Sequence, residues 1–368
     1  MVGNMIERRD VMRGFAGIAS MATVAGCTTF SPGGTGTTPL PDYHRYVAGE
    51  GSEDEGVFFA TIDVDTLREV EDGALQENLP QGSTPAVEGG VDEPDPLVAY
   101  PVVGLFVAAL GVSFGLFPYG FAGQIAEGFS GTALEAGTET PGTGGGGTET
   151  AEDATRVDTM VMQSTAIVLE GNFDGAALAD AARGFTHDGE YGEYEVYVGG
   201  AGESMLDTSD LAFAVDGETL VALVADDRDD PRADLEGALD VATGDGERLS
   251  DDADAEWALR TAGHGFSVLG GWGLDPTEVQ PTDEVPDRDV GVESVLDGAD
   301  GLVSSLAFDG GERATTATVA AVYPEGETPT REQLEADLGA TATEREVEVD
   351  GTRVSVTATW SVETTTDA

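Results

Sequence analysis

The 368-residue chain contains no lysine and a single cysteine, Cys27. Without a second cysteine no disulfide can form within it, so its stability has to come from packing. A thiolate mechanism has one residue to draw on, and that residue falls in the N-terminal segment described below. The missing lysine removes the G-x-x-x-x-G-K-[ST] phosphate loop. Histidine is scarce too: His44, His187 and His264 stand far apart, with no pair at metal-ligand spacing. Serine-nucleophile order is absent from both places that approach it. Gly263-His264-Gly265-Phe266-Ser267 is not G-x-S-x-G, and Gly202-Glu203-Ser204-Met205 lacks the closing glycine. Positive charge is outnumbered, with 16 arginines against 71 acidic residues and a formal net charge of -55. Such a surface repels nucleic acid and no basic stripe offsets it, so a nucleic-acid partner is excluded.

Hydrophobic residues still make up 40% of the chain, enough for real cores, which excludes wholesale disorder. Carboxylates at this density repel one another in dilute buffer, whereas molar salt shortens the Debye length to about 3 Å. The acid excess and the missing lysine together resemble proteins of extremely halophilic archaea. That resemblance makes most acidic runs a salt-adapted exterior.

The N-terminus departs from this pattern. Arg8 and Arg9 are adjacent, Val11 and Met12 follow, and a small-residue apolar stretch runs from Gly14 to Gly26. It ends in Val24-Ala25-Gly26-Cys27. Basic-then-apolar order is that of an export signal, and the stretch is short for a membrane span. These residues resemble a twin-arginine signal closed by a lipobox, with Val-Met where Phe-Leu is commoner. The resemblance makes Arg8 and Arg9 the export determinants and Cys27 the first mature residue, attached to membrane lipid. Residues 28–41, rich in Gly, Thr and Pro, extend this into a flexible tether. The chain resembles exported haloarchaeal lipoproteins of unassigned function. The specific motifs cover residues 7–27, and the rest matches in composition and layout.

Composition shifts divide the chain into an export signal (1–26), a lipid-anchor tether (27–56) and an N-terminal module (57–136). A flexible Gly-rich linker follows (137–155), with four consecutive glycines at 144–147. A central domain (156–272), a second linker (273–290), a C-terminal module (291–361) and a disordered tail (362–368) complete it. Within the first module, residues 97–126 carry no charge and are long and apolar enough to be a transmembrane candidate. Pro101, Gly104, Gly111 and Gly115 interrupt them, and uncharged flanks leave orientation unset. A buried or membrane-surface element is the favoured reading, a true span the alternative. A membrane protein could also dock through this segment.

The expected fold is α+β: antiparallel sheets with short covering helices, joined by the tether and the Gly-rich linker. Residues 57–62 make a strand, with a turn or helix start at Asp65. Residues 166–170 make another, and Asp174 caps a helix running to Arg183. Residues 195–198 alternate as a strand. Asp216-Gly217 joins strands at 211–215 and 219–224, and a helix runs from Pro231 to Val241 with Leu235, Leu239 and Ala242 on one face. Trp257, Leu259, Phe266 and Leu269 complete that core, whose sheet is expected to be covered on one side. Strands follow at 302–308 and 314–323. Thr330 and Gln333 have capping-box spacing before a helix ending at Gly339, and Asp350-Gly351 joins a last hairpin. The pairing of a strand with a following Asp at 57–65 and 166–174 hints at a degenerate repeat.

No catalytic, metal or cofactor residues emerge. The acidic clusters at 226–230 and 251–256 are loose Ca²⁺ candidates without the DxDxDG order. Tyr191, Tyr194 and Tyr197 stand at spacing three, with Tyr194 and Tyr197 on opposite faces of a strand. The sequence favours a non-enzymatic, lipid-anchored surface protein with a structural, interaction or ligand-presenting role. The alternatives are an exported membrane-anchored hydrolase or metal-dependent enzyme, and an accessory subunit docking through residues 97–126.

Overall fold

The computed structural model describes residues 38–49, 56–69, 95–111, 115–121, 123–125, 129, 155–182, 184–200, 208–224, 230–274, 295–309 and 314–361. The fold is α+β, as the sequence leads one to expect. Its strands are β1 (Val57–Asp63), β2 (Arg156–Gln163), β3 (Ala166–Asn172), β4 (Phe185–Tyr191), β5 (Tyr194–Gly199) and β6 (Ala212–Val215). Then come β7 (Thr219–Leu223), β8 (Ser267–Trp272), β9 (Gly301–Asp309), β10 (Ala314–Val322), β11 (Glu344–Asp350) and β12 (Arg353–Ser361). The helices are α1 (Val64–Glu69), α2 (Pro96–Leu110), α3 (Gly175–Ala181), α4 (Pro231–Thr243), α5 (Ala253–Ala262) and α6 (Arg331–Asp337).

All twelve strands join one antiparallel sheet in the order β11-β12-β10-β9-β8-β1-β2-β3-β7-β6-β5-β4. Strands from the N-terminal, central and C-terminal modules therefore lie side by side. Both faces of the sheet are buried over much of its width, because side chains alternate along each strand. One core holds Ile62, Met160, Leu169, Phe213, Leu306 and Val356, under α2, α3 and α6. The other holds Phe59, Val168, Val196, Val221 and Val268, under α4, α5 and the 3-10 turn Asp42–Tyr46. Helices on both faces replace the one-sided cover expected for the central domain.

Local chemistry explains the element ends. Asp63 accepts from the Thr66 amide at 2.9 Å and so starts α1, a role the sequence assigns to Asp65. Asp174, Asp230 and Asp252 cap α3, α4 and α5. Thr330 and Gln333 form the expected reciprocal capping box on α6. Asp216-Gly217 and Asp350-Gly351 close their hairpins with glycine at φ 96° and 62°.

Helix α2 covers most of the described part of residues 97–126. Leu97, Val98, Val102, Leu105, Val107 and Ala108 are buried, as expected of a helix apolar all round. At 15 residues it is about 22 Å long, short of the roughly 30 Å hydrocarbon core of a bilayer. Among the described residues no helix is long and apolar enough to cross a membrane. Gly104 lets α2 approach β8 closely: a Cβ there would lie 3.0 Å from the Leu269 Cβ and 3.3 Å from the Val268 carbonyl oxygen. Val103 and Phe117 remain exposed.

The β1–β8 pair lies on an approximate two-fold relation between halves. Moving outward, β2 and β3 on one side match β9 and β10 on the other, with strand directions reversed. Each third strand is followed by a short helix, α3 or α6, whose Leu178 or Leu334 enters the same core. Each helix is followed by a hairpin at the sheet margin, β4–β5 or β11–β12. Among the described residues the hairpin β6–β7 and helix α4 have no counterpart in the second half. This relation pairs β1 with β8, whereas the repeat expected from sequence links β1 with β3.

Candidate functional site

Arg8, Arg9 and Cys27 lie outside the described residues, as do residues 226–229 of the first acidic cluster. Its last member, Asp230, caps α4 through the Ala233 amide at 3.2 Å. In the second cluster the carboxylates are engaged within the protein. Asp252 accepts from the Asp254 and Ala255 amides at 2.9 and 2.8 Å, Asp254 pairs with Arg353 at 2.6 Å, and Glu256 pairs with Arg260 at 2.7 Å. The cluster is a helix start, where acids suit the macrodipole. His44 Nδ1 lies 2.6 Å from the Pro41 carbonyl oxygen, His187 is exposed on β4 against the Tyr197 ring, and His264 is exposed before β8. Among the described residues no group of three or more His, Cys, Asp and Glu side chains could hold a metal ion. Tyr194 and Tyr197 enter opposite cores.

A polar cleft that sequence reading missed opens on the face carrying α4 and the 3-10 turn. It has a volume of about 410 Å³ and is lined by Arg45, Tyr46, Asp158, Glu170, Tyr194 and Glu218, together with Thr159, Gly171, Thr219 and Ala242. Its floor is a row across three strands. Glu170 of β3 sits opposite Thr159 of β2 and Thr219 of β7, so the three side chains project the same way. Beside this row the register of β2 and β3 shifts between Val157 and Thr159, leaving Asp158 as a bulged extra residue. Gly171 permits the bulge, since a Cβ there would lie 1.9 Å from the Arg156 carbonyl oxygen. Asp158 in turn is bonded by Arg156.

One wall is the turn Asp42–Tyr46, held from both ends. Tyr43 packs against Phe59 and donates to the Gly263 carbonyl at 3.2 Å. The Gln163 amide donates to the Tyr46 carbonyl at 2.7 Å, and its oxygen accepts from the Ala48 amide at 3.1 Å. From this braced turn the Tyr46 hydroxyl donates to Glu170 Oε1 at 2.7 Å. Arg45 pairs with the same oxygen, and its guanidinium carbon stands 4.7 Å from the Tyr46 ring centroid. Burial, and then the hydrogen bond to Glu170, hold the Tyr46 phenol well above its ordinary pKa. Burial and the nearby Asp216 raise that of Tyr194. Both hydroxyls therefore stay protonated, as donors.

The lining has carboxylates, hydroxyls, ring faces and one guanidinium, but no histidine, serine or cysteine. It can hydrogen-bond and neutralise charge. One signal in the sequence does point here: Glu170 is the lone charge in the otherwise uncharged strand Ala166–Asn172.

No protein-family model matches the chain, and no curated protein is significantly similar to it. Among solved structures, two crystal forms of TP0453 are similar. Form I shares 8% identity over 88% of this chain and 94% of that one, with a TM-score of 0.37. Form III shares 9% over 86% and 93%, also at 0.37. Similarity at that level identifies no class of protein.

Proposed function

We propose that this chain is a non-enzymatic lipoprotein of the outer face of the cytoplasmic membrane, whose folded body serves a structural, interaction or ligand-presenting role. The observation that carries the reading is the position of Cys27. The only cysteine of the chain stands directly behind a small-residue run introduced by Arg8-Arg9. Residues 1–26 are then the export signal, and 27–56 the tether that lifts the body from the membrane. The absence of lysine and the charge of -55 fit a molar-salt exterior.

The burial of α2 against the sheet favours Cys27 as the anchor, because most of the described part of residues 97–126 serves the core. The ring face, guanidinium and carboxylates that line the cleft support a ligand-presenting role.

Fractionation of wild type and Cys27→Ala in molar salt tests the reading. Wild type stays with the membrane and the variant is released to the medium. Retention of both would remove Cys27 as the sole anchor and return weight to residues 97–126.

A further inference from the structure

We propose that the cleft over β3 binds a small organic cation, whose guanidinium or primary ammonium group takes the seat that Arg45 occupies. This rests on the ligand-presenting reading of the body and names its ligand class; it is independent of the anchor.

The seat is a recognition arrangement already filled by a guanidinium. Arg45 lies over the Tyr46 ring and pairs with Glu170, a ring face and a carboxylate acting on one cation. Attraction to the ring quadrupole and a charge-assisted hydrogen bond are the forces that select such groups. The groups that surround the cation are more buried than the cation itself. Tyr46 is buried, braced through Gln163, and bonded to Glu170. The Arg45 side chain, by contrast, is 44% exposed and extends from the outer side of the turn. Ligand binding requires Arg45 to leave this seat for solvent while Glu170 and the ring, held by the Tyr46 hydrogen bond, stay in place.

Charge and size point the same way. The lining sets Asp158, Glu170 and Glu218 against Arg45 alone. Asp158 is already engaged by Arg156 and Arg45 offsets Glu170, while exposed Glu218 borders the cleft. At about 410 Å³ the open, polar cleft is larger than a guanidinium. The remaining space runs past Thr159, Thr219, Tyr194 and Ala242, whose methyl groups and ring can flank a short methylene body. Arg45 is then an intramolecular competitor that lowers apparent affinity by the fraction of time it holds the seat.

The test is isothermal titration of the full chain with agmatine, which carries a guanidinium and an ammonium, in molar KCl. Screening there suppresses indiscriminate attraction to the acidic surface. Arg45→Ala vacates the seat and tightens agmatine binding about tenfold over wild type. Glu170→Gln abolishes binding in both backgrounds. Circular dichroism establishes that each variant is folded. Should Arg45→Ala not fold, Arg45→Gln makes the same comparison, since its neutral amide cannot replace the ion pair. Equal binding, or none, in wild type, the folded Arg45 variant and Glu170→Gln overturns the proposal. So does glucose binding with the same dependence on Glu170, which would assign the cleft to neutral polyols. Loss of agmatine binding leaves the Cys27 fractionation result untouched, so the two readings fail separately.

Discussion

The Ser267 hydroxyl donates to the main-chain carbonyl of Pro101 at 2.6 Å, across 166 residues of sequence. This bond fastens the apolar helix α2 to the end of β8, beside the glycine that lets the two approach. On the neighbouring strand Ser304 is equally buried, but its hydroxyl has no hydrogen-bond partner. The two serines therefore have opposite energetics. Ser267→Ala costs about 1 kcal/mol, and Ser304→Ala stabilises by a similar amount because it removes a desolvated, unpaired hydroxyl. Gly104→Ala pushes α2 off Leu269 and costs about 1–3 kcal/mol. Denaturant unfolding in molar salt ranks the three. A destabilised Ser304→Ala would contradict the assignment.

The charge of -55 predicts stability that depends steeply on salt. Lowering KCl from about 1 M to 0.1 M lengthens the Debye distance from about 3 Å to about 10 Å and restores repulsion among the carboxylates. The melting temperature falls over that range, and readdition of salt recovers it. A melting temperature insensitive to KCl would mean that the acidic exterior is not a salt adaptation.

Tyr197 gives the alkaline limb. Burial, and then its hydrogen bond to Glu195 at 2.9 Å, push its phenol up to about 12. The unfolded chain titrates near the ordinary value of about 10, so it releases the proton first. The stabilisation from Tyr197 is thus complete below about pH 10 and is lost as pH rises through about 12, on the order of 2 kcal/mol. Denaturant unfolding between those pH values shows a shallower decline for Tyr197→Phe than for wild type. Parallel declines would place the alkaline loss on other groups.

Legibility in the sequence followed the range of the interactions involved. Asp216-Gly217, Asp350-Gly351, the Thr330–Gln333 box and the face of Leu235 and Leu239 were readable because each is decided within a few residues. The helix α5 was hidden by its own acids, since Asp252, Asp254 and Glu256 look like a cluster until Asp252 is seen as a cap. The pairing of β1 with β8 joins residues some 200 positions apart, and nothing local in 57–63 announces it. The cleft failed for the same reason. Tyr46, Glu170 and Thr219 come from three distant segments, and only the sheet brings them together.

The two-fold relation between the halves implies a history for that cleft. Two identical chains meeting edge to edge, one strand from each, would make an isologous dimer with this seam. Joining them end to end would turn the dimer contact into the β1–β8 pair. Glu218, Thr219 and Ala242 of the cleft belong to, or border, the hairpin β6–β7 and the helix α4, which among the described residues occur in one half alone. On that history the cleft is younger than the sheet, because part of its wall comes from elements described in one copy alone.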